Sequence, residues 1–348
     1  MYEELIDRLS RTGALSAEEY LVLIQNRESV REALAERART ARERFYGNRI
    51  YIRGLIEFTN YCKNNCYYCG IRAGNTAAER YRLSPEEITG AADTGYDLGF
   101  RTFVLQGGED PFYTDEMLAD IVRTIKTRHP DCAVTLSLGE RDFESYRRLR
   151  EAGADRYLLR HETANPAHYA TLHPAAMRFE NRLRCIRDLK SLGFQVGIGF
   201  MVGSPGQTDR DLADELLFLK EMQPHMVGIG PFLPHQNTPF RGEAAGSAEL
   251  TCFLLSLIRL TLPSVLLPAT TALGTADPLG REKGIMAGAN VLMPNLSPVS
   301  VRKKYLLYDG KICTGEEAAQ CIECLKNRVR KTGCEIVVAK GDHPDRAD

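Results

Sequence analysis

Residues 50–70 read IYIRGLIEFTNYCKNNCYYCG, and this stretch sets the expectation for the fold. Its first part is a short apolar run, which predicts a β-strand that ends near Phe58. A polar loop follows, in which Cys62, Cys66 and Cys69 are separated by three and two residues. In α/β barrels the functional groups follow the carboxyl ends of the strands, and the position of this loop agrees with that rule.

The rest of the chain alternates between short apolar runs and amphipathic stretches. Strands are expected at 50–58, 102–106, 133–138, 156–160, 195–201, 226–230, 265–268 and 290–294, with helices between them. Ser84 followed by Pro85, Glu86 and Glu87 predicts a capped helix start. Eight strands interleaved with helices predict an α/β protein with a complete (β/α)8 TIM-type barrel. The alternative is an incomplete six-stranded barrel with a separate C-terminal module, because strands seven and eight are the least well defined.

Three regions are expected along the chain. Residues 1–48 predict an N-terminal helical extension of two or three helices, because apolar residues recur at helical spacing there. Residues 49–300 are expected to form the barrel. Residues 301–348 form a C-terminal segment that carries further cysteines.

Composition excludes several classes of function. The net charge of −1 over 348 residues gives no broad basic field for nucleic acid. The apolar runs are far too short to cross a membrane, and the charged N-terminus lacks the apolar region of a secretory signal. Clustered free thiols suit a reducing compartment, so a cytoplasmic location is expected.

The spacing of the three cysteines predicts a particular metal group. Three thiolates can ligate three irons of a [4Fe-4S] cluster and leave the fourth iron open. An open iron can chelate the amino and carboxylate groups of S-adenosylmethionine (SAM), whose reductive cleavage releases a 5′-deoxyadenosyl radical. The aromatic Tyr68 just before the last cysteine completes the signature of a radical SAM enzyme. Cys62, Cys66 and Cys69 are therefore the predicted cluster ligands, and their cluster makes them catalytic.

Two other interpretations of this loop are weaker. Structural zinc usually takes four ligands, and no fourth Cys or His lies within ten residues of the loop on either side. Disulfides are disfavoured because ten cysteines in 348 residues are too sparse for a small secreted scaffold.

A second cysteine group lies near the C-terminus. Cys313, Cys321 and Cys324 are separated by seven and two residues, and they predict an auxiliary Fe-S cluster, either [2Fe-2S] or [4Fe-4S]. This group is looser than the first. Cys334 could instead complete a four-ligand zinc site.

Polar clusters at the expected strand ends suggest how a cofactor would be bound. The glycines of Gln106-Gly107-Gly108-Glu109 would let backbone approach a ligand closely. Arg160, Glu162 and Arg182 suit a zwitterion, although salt bridges at the surface are the alternative for Glu162 and Arg182. His161 is expected to be a buried structural histidine, because strand alternation points it away from its neighbours.

Longer motifs carry a resemblance to a known family. The runs YCKNNCYYCGIR, VLQGGEDPFY, VTLSLGE, AGADRYLLRHETANP, MVGSPGQT, MVGIGPFLPHQNTP and PATTALGT resemble the HydE family of [FeFe]-hydrogenase maturases, in the biotin-synthase-like branch of radical SAM enzymes. The resemblance extends from about residue 50 to residue 324. It implies a complete barrel with the cluster at its top and a substrate cavity inside.

The resemblance also implies roles for individual residues. The SAM contacts would be Tyr68, Gln106, Ser137, Glu162, Arg182 and Tyr305, and the cavity would be lined by Arg160, Met201, Met226, Thr270 and Thr271. The implied substrate is an iron carbonyl cyanide cysteine complex supplied by the partner maturase HydG, whose product passes to the scaffold HydF. An external electron donor is also implied. Many members of this family lack the second cluster.

Other activities remain to be weighed. Biotin synthase holds a sulfur-donating cluster on cysteines of its barrel strands, but residues 104–106, 135–137 and 198–200 contain no Cys. Methylornithine synthase, a lysine mutase with an amino-acid substrate, shares the barrel and the SAM motifs and is the main alternative. A carrier or scaffold that passes on Fe-S clusters without radical chemistry is an alternative of a different class.

Overall fold

The computed structural model describes residues 2–315 and 322–346. The chain begins with three helices: α1 (Tyr2–Thr12), α2 (Ala17–Gln25) and α3 (Arg27–Tyr46). The elements that follow up to the middle of the chain are β1 (Arg49–Ile52), β2 (Gly54–Thr59), α4 (Pro85–Asp97), β3 (Thr102–Gly107), α5 (Asp115–Arg128), β4 (Ala133–Ser137), α6 (Phe143–Glu151), β5 (Arg156–Leu158), α7 (Pro166–Leu172) and α8 (Phe179–Ser191).

The second half contains shorter strands. Its elements are β6 (Gln195–Ile198), β7 (Met201–Val202), α9 (Asp209–Met222), β8 (Met226–Val227), β9 (Gly230–Pro231), α10 (Ala248–Thr261), α11 (Thr271–Ala276), α12 (Gly280–Met286), β10 (Val291–Leu292), α13 (Val299–Arg302), α14 (Ile322–Arg330), β11 (Glu335–Val337) and a 3₁₀ turn, Pro344–Arg346. Within the described ranges, no helix combines the length and the apolar character that a membrane crossing needs.

Local sequence signals explain where the helices begin. The predicted start of α4 is confirmed: the Ser84 hydroxyl accepts from the Glu87 N–H, and the Glu87 carboxylate accepts from the Ser84 N–H. Pro85 occupies the first helical position, where its missing N–H costs no hydrogen bond. Thr114 and Asp142 cap α5 and α6 in the same way.

The strands form an α/β fold around a parallel sheet. Six strands pair in the order β2-β3-β4-β5-β6-β8, all parallel. β1 lies between β10 and β11 in a second parallel sheet, and β7 pairs with β9. The predicted strand at 50–58 is thus two strands, and the one at 265–268 appears only as isolated bridges from Met226 to Leu266 and from Pro268 to Val291. Pro268 has no N–H to continue a ladder, which shortens this strand.

The end of the chain covers the amino-terminal ends of the strands. Arg156, at the start of β5, donates to the Asp342 carboxylate at 2.5 Å and to the Lys340 carbonyl at 3.0 Å. The Gln195 side chain, at the start of β6, donates to Asp342 at 2.6 Å. The chain end therefore covers the amino-terminal ends of these strands. A functional site is expected at their carboxyl ends.

Candidate metal and cofactor site

The cysteine loop follows β2 and is fixed by contacts from several elements. The Lys63 N–H donates to the Glu109 carbonyl at 2.9 Å, and the Gly70 N–H donates to the Leu307 carbonyl at 2.8 Å. The Arg80 guanidinium donates to three carbonyls of the loop, those of Ile71, Arg72 and Asn75. These hydrogen bonds between protein groups fix the backbone of the cysteine loop.

Gly108 has a clear steric reason to be glycine. A Cβ at this position would lie 2.1 Å from the Tyr61 carbonyl oxygen and 2.7 Å from Cys62 Cβ. The predicted Gly-Gly turn therefore allows the cysteine loop to pack against the end of β3. This contact accounts for the glycine without any role in cofactor binding.

The three thiols are half-buried, and burial affects their ionisation. Burial raises the pKa of Cys62 and Cys66, and it raises the pKa of Cys69 to about 12, with a further contribution from neighbouring thiols to Cys66 and Cys69. Metal ligation requires thiolates, so the positive charge of bound iron would have to compensate this cost. Among residues 2–315 and 322–346, no three His, Cys, Asp or Glu side chains are grouped to hold a metal ion.

Glu162 is held in a costly conformation beside these thiols. Its φ is 69°, in the left-handed region that residues other than glycine rarely adopt. The residue is buried, and its Oε2 has no hydrogen-bond partner among the described residues. Arg160 Nη2 lies 3.2 Å from that oxygen without hydrogen-bond geometry, and Arg160 Nε also lacks a partner there. Buried charged groups without partners are expensive, so this pair fits a polar ligand that would complete their bonding.

Arg182 is already engaged by the protein. Its Nε donates to Glu140 Oε1 at 2.5 Å, and its Nη1 donates to the Arg160 carbonyl at 2.5 Å. Arg182 also influences the pKa of Cys66, which places it near the thiols. The pair with Glu140 is therefore buried, unlike the surface salt bridge that the sequence offered as the alternative.

The side chains of Gln106 and Tyr305 are in contact near the carboxyl end of β3. Gln106 Nε2 donates to the Tyr305 hydroxyl at 3.4 Å, and Ser137 pairs with Gln106 in the register of β3 and β4. Lys311 Nζ donates to the Tyr305 carbonyl at 2.8 Å and forms a buried ion pair with Glu57 at 2.5 Å. This pair fixes the segment that carries Tyr305 against the end of β2.

Tyr68 has a partner that the sequence analysis did not identify. Its hydroxyl lies 3.2 Å from His173 Nε2, and His173 Nδ1 lies 3.0 Å from the Tyr169 carbonyl oxygen. A carbonyl only accepts, so Nδ1 carries the proton and Nε2 accepts from Tyr68. Burial, with the nearby charge of Arg182, lowers the pKa of His173 to about 3, so the ring is neutral at physiological pH.

The prediction for His161 is confirmed. The side chain is fully buried, with Nε2 2.7 Å from Glu215 Oε2 and with Nδ1 accepting from the Gly199 N–H at 3.3 Å. Glu215 also accepts from the Ala164 N–H. His161 therefore holds the loop that carries Arg160 and Glu162 without facing the site.

The residues expected to line a cavity lie at different levels along the strands. Met201 packs with Leu172 and Phe232 against Tyr68, near the cysteine loop. Met226 lies at the other end, where its sulfur accepts from Arg53 Nη1 at 2.9 Å. The Thr270 hydroxyl caps α11 by accepting from the Leu273 N–H at 3.3 Å, and Thr271 is the first residue of that helix.

The second cysteine group is less defined. Cys313 has a φ of 62°, and Arg281 Nη2 lies 3.3 Å from its sulfur. Cys324 belongs to α14, and Cys321 lies outside the described residues. Cys334, the alternative fourth ligand, is buried, and its sulfur lies 3.8 Å from the Thr332 carbonyl oxygen.

The residues that sequence reasoning missed all act through long-range pairs. They are Glu57, Glu140, His173, Glu215 and Lys311, and each bonds to a residue far along the chain. The signal in the sequence was the occurrence of isolated charged or histidine residues in otherwise apolar stretches. Such a residue is expected to have a buried partner, but the sequence does not show which residue that partner is.

Comparison with known proteins adds independent information. Residues 56–219 match the model of the radical SAM superfamily. The chain is 47% identical over 330 residues to the [FeFe] hydrogenase maturase subunit HydE of Thermotoga maritima, covering 95% of this chain and 94% of that protein. It is 30% identical over 318 residues to the 3-methylornithine synthase of Methanosarcina barkeri, covering 90% and 87%.

A solved structure agrees with the fold. The crystal structure of methylornithine synthase (PylB) superposes with a TM-score of 0.84 at 27% identity, covering 96% of this chain and 97% of that one. The likeness thus extends over nearly the whole of both chains.

Proposed function

The chain belongs to the HydE family of [FeFe]-hydrogenase maturases, a branch of the radical SAM superfamily, and from this premise we propose how its own residues serve that chemistry. It is a radical SAM enzyme of hydrogenase maturation. The observation that carries the proposal is Glu162, which is close enough to Cys66 and Cys69 to contribute to their raised pKa and whose buried Oε2 has no hydrogen-bond partner among the described residues. Cys62, Cys66 and Cys69 would ligate a [4Fe-4S] cluster and leave one iron for SAM.

When bound, the cluster and SAM supply the reductive cleavage that yields methionine and a 5′-deoxyadenosyl radical. The protein would supply the binding groups. Glu162 would accept hydrogen bonds from SAM, since its Oε2 lies 3.2 Å from Arg160 Nη2 but accepts no hydrogen bond within the described structure. Arg182 would contact SAM and would also donate a hydrogen bond to the Arg160 carbonyl. Gln106, Ser137 and Tyr305 would contact the cofactor from the strand ends, and Tyr68 would pack against it.

The substrate that we propose is a small iron complex with carbonyl, cyanide and cysteine ligands, a precursor of the di-iron subcluster. Arg160 is the group best suited to an anionic complex, because its buried Nε has no hydrogen-bond partner among the described residues and its Nη2 contacts Glu162 without a hydrogen bond. Met201, Met226, Thr270 and Thr271 would line the remaining cavity. The complex would come from HydG, and the product would pass to HydF.

The eight strands predicted from the sequence would close into a complete (β/α)8 barrel. Backbone bonds support closure beyond the six-stranded sheet: Val227 N–H to Leu266 O at 3.0 Å, Ala269 N–H to Val291 O at 3.0 Å, and Leu55 N–H to Pro294 O at 2.9 Å. We retain the division into an extension at 1–48, a barrel at 49–300 and a C-terminal segment at 301–348. Pairing of β11 with β1 would join that last segment to the barrel.

Two further points belong to the proposal. Cys313, Cys321 and Cys324 would bind an auxiliary Fe-S cluster that is peripheral to the radical chemistry. The enzyme would work in the reducing cytoplasm, where an external donor supplies electrons.

The proposal is tested by anaerobic reconstitution followed by reduction with dithionite in the presence of SAM. A radical SAM enzyme produces 5′-deoxyadenosine, whereas a cluster carrier produces none. Maturation of apo-hydrogenase together with HydG and HydF then tests the assigned pathway. Conversion of lysine to methylornithine would instead favour the activity of the relative with 30% identity.

A further inference from the structure

The carboxyl end of α7 and the chain that follows it lie against the cysteine loop. We call residues 172–177 the α7–α8 connection. The chain then continues into α8, the helix that carries Arg182. Three successive residues of the cysteine loop contact the α7–α8 connection. The pairs are Cys66 Sγ with Met177 Sδ at 3.6 Å, the Tyr67 N–H with the Leu172 carbonyl oxygen at 3.0 Å, and the Tyr68 hydroxyl with His173 Nε2 at 3.2 Å.

His173 is held in place by Tyr169, one turn earlier in the chain. The two rings stack, with their centroids 3.9 Å apart and their planes inclined by 23°, and His173 Nδ1 donates to the Tyr169 carbonyl at 3.0 Å. Both residues are buried. Helix α7 is itself fixed at its start, where Asn165 Nδ2 donates to Asp211 Oδ1 at 2.7 Å. His173 therefore presents its Nε2 from a fixed position.

The hydrogen bond from Tyr68 to His173 fixes the direction of the tyrosine ring. Tyr68 is half-buried and packs against Leu172, Met201 and Phe232. Its ring meets the His173 ring edge-on, with the centroids 5.4 Å apart and 89° between the planes. Apolar packing alone would let the phenol turn toward another acceptor, because a tyrosine hydroxyl that is removed from water usually finds a partner. His173 supplies that partner.

We propose that His173 is a positioning residue for SAM binding: it orients Tyr68 so that the exposed part of the tyrosine ring packs against the cofactor. This inference rests on the proposed function, in which Tyr68 contacts SAM beside the cluster. His173 itself would touch neither SAM nor iron. Because the ring is already ordered before SAM arrives, less side-chain entropy is lost on binding.

The experiment compares His173→Leu with His173→Gln in the anaerobically reconstituted protein. A leucine side chain cannot accept from Tyr68, whereas the carbonyl oxygen of a glutamine side chain can do so from near the Nε2 position. His173→Leu is also made together with Tyr68→Phe, which completes a double-mutant cycle. The control is His129→Leu at the end of α5, because His129 likewise stacks on a tyrosine, Tyr96, with the centroids 4.2 Å apart and 18° between the planes.

SAM affinity is measured by titration against each reconstituted variant. Iron content, the [4Fe-4S] absorption and the dithionite-driven formation of 5′-deoxyadenosine are recorded in parallel. These readouts separate a loss of cofactor affinity from a loss of the cluster.

We expect His173→Leu to weaken SAM binding by about three- to tenfold, the effect of losing one hydrogen bond between neutral groups. Tyr68→Phe removes the same hydrogen bond, so adding His173→Leu to it should cost less than about a further twofold. His173→Gln and the control should bind SAM within about twofold of the parent. The [4Fe-4S] absorption should be unchanged in all variants.

Equal effects of His173→Leu with and without Tyr68→Phe would overturn the inference, because His173 would then act by packing alone. So would normal SAM affinity in His173→Leu. Should His173→Leu lose its cluster, Tyr68→Phe alone tests the hydrogen bond, and parent-like SAM affinity in that variant would also overturn the inference. If the parent itself forms no 5′-deoxyadenosine, the proposed function fails, and this inference fails with it.

Discussion

The two cysteine groups of this chain differ in how much of the protein is organised around them. The loop at 62–69 is bonded to the loop after β3 and to the segment at 304–311, and it lies beside the strained Glu162. In the second group, the Cys313 sulfur lies 3.3 Å from Arg281 Nη2 and Cys324 belongs to helix α14, whereas Cys321 is outside the described residues. Cysteine count alone would rank the two groups equally. From the contacts around the first group we predict that this group, and not the second, serves the radical chemistry.

Replacing a ligand in each group gives the largest expected contrast. Cys69→Ala should abolish 5′-deoxyadenosine formation, because two thiolates cannot hold the cluster with one open iron. Cys313→Ser should leave it intact. The measurement is the deoxyadenosine formed after dithionite reduction, with iron content determined for each variant. Equal loss in both variants would remove the distinction between the groups.

The segment that carries Tyr305 and Lys311 precedes the second cysteine group, and we expect it to stabilise the fold around the first. Lys311 lies two residues before Cys313, but its buried ion pair with Glu57 holds the Tyr305 segment. Lys311→Met leaves a buried carboxylate unpaired and should cost about 3–5 kcal/mol of the free energy of unfolding. Urea denaturation measures this cost. Lys283→Met, which breaks the half-exposed pair with Asp277, is the matched control and should cost at most about 1 kcal/mol.

A double variant separates the ion pair from its packing. Adding Glu57→Gln to Lys311→Met removes the unpaired charge and should recover much of the lost stability. No recovery would mean that Lys311 acts mainly by packing, and the link between the segment and the first site would need another explanation.

Glu162 should affect cofactor affinity without affecting cluster content. Losing a hydrogen bond to a charged ligand group costs about 1.5–3 kcal/mol, or roughly 10- to 150-fold in affinity, so Glu162→Gln should weaken SAM binding by that factor. Titration of SAM against the reconstituted protein measures it, and the [4Fe-4S] absorption should be unchanged. Glu180→Gln, at a carboxylate whose side chain is 71% exposed, is the control. Normal SAM affinity in Glu162→Gln would make this residue structural.

How far the sequence predicted these features depends on the distance between partners along the chain. The start of α4 and the cysteine loop were readable because all their determinants lie within a few residues. Glu57 and Lys311 are 254 positions apart, and Tyr68 and His173 are 105 apart, so only the fold brings them together. β11 was missed for the same reason, since its partner β1 lies near the start of the chain. Signals that lie close together in the sequence therefore reveal a helix start or a cysteine motif, whereas the partner of a side chain depends on the fold.

The free energy of unfolding should depend on pH through His173, which contacts Tyr68 of the first cysteine loop. Residues 302–334, around the second cysteine group, contain no histidine. The folded pKa of His173 is lowered from 6.5 to about 3, so between these values the unfolded chain binds a proton that the folded protein does not. Stability should therefore rise with pH, and His173 should contribute a loss of about 2 kcal/mol as the pH falls from 7 to 5. His173→Gln should flatten the curve by that amount in urea denaturation. His225, whose pKa is lowered to about 4 by burial, leaves part of the slope in place. An unchanged slope would show that His173 is not buried in neutral form.

The smallest effect on catalysis is expected at the second group. Replacing Cys313, Cys321 and Cys324 together by Ser should lower the iron content of the reconstituted protein, because thiolate ligands of the auxiliary cluster are removed. SAM cleavage and hydrogenase maturation should remain close to the parent. The physical reason is that Glu162, Tyr68 and Gln106 contact Arg160, His173 and Tyr305, and none of these described contacts involves Cys313 or Cys324. Loss of maturation in a triple variant that folds normally, with SAM cleavage intact, would instead assign the second group a task after radical formation.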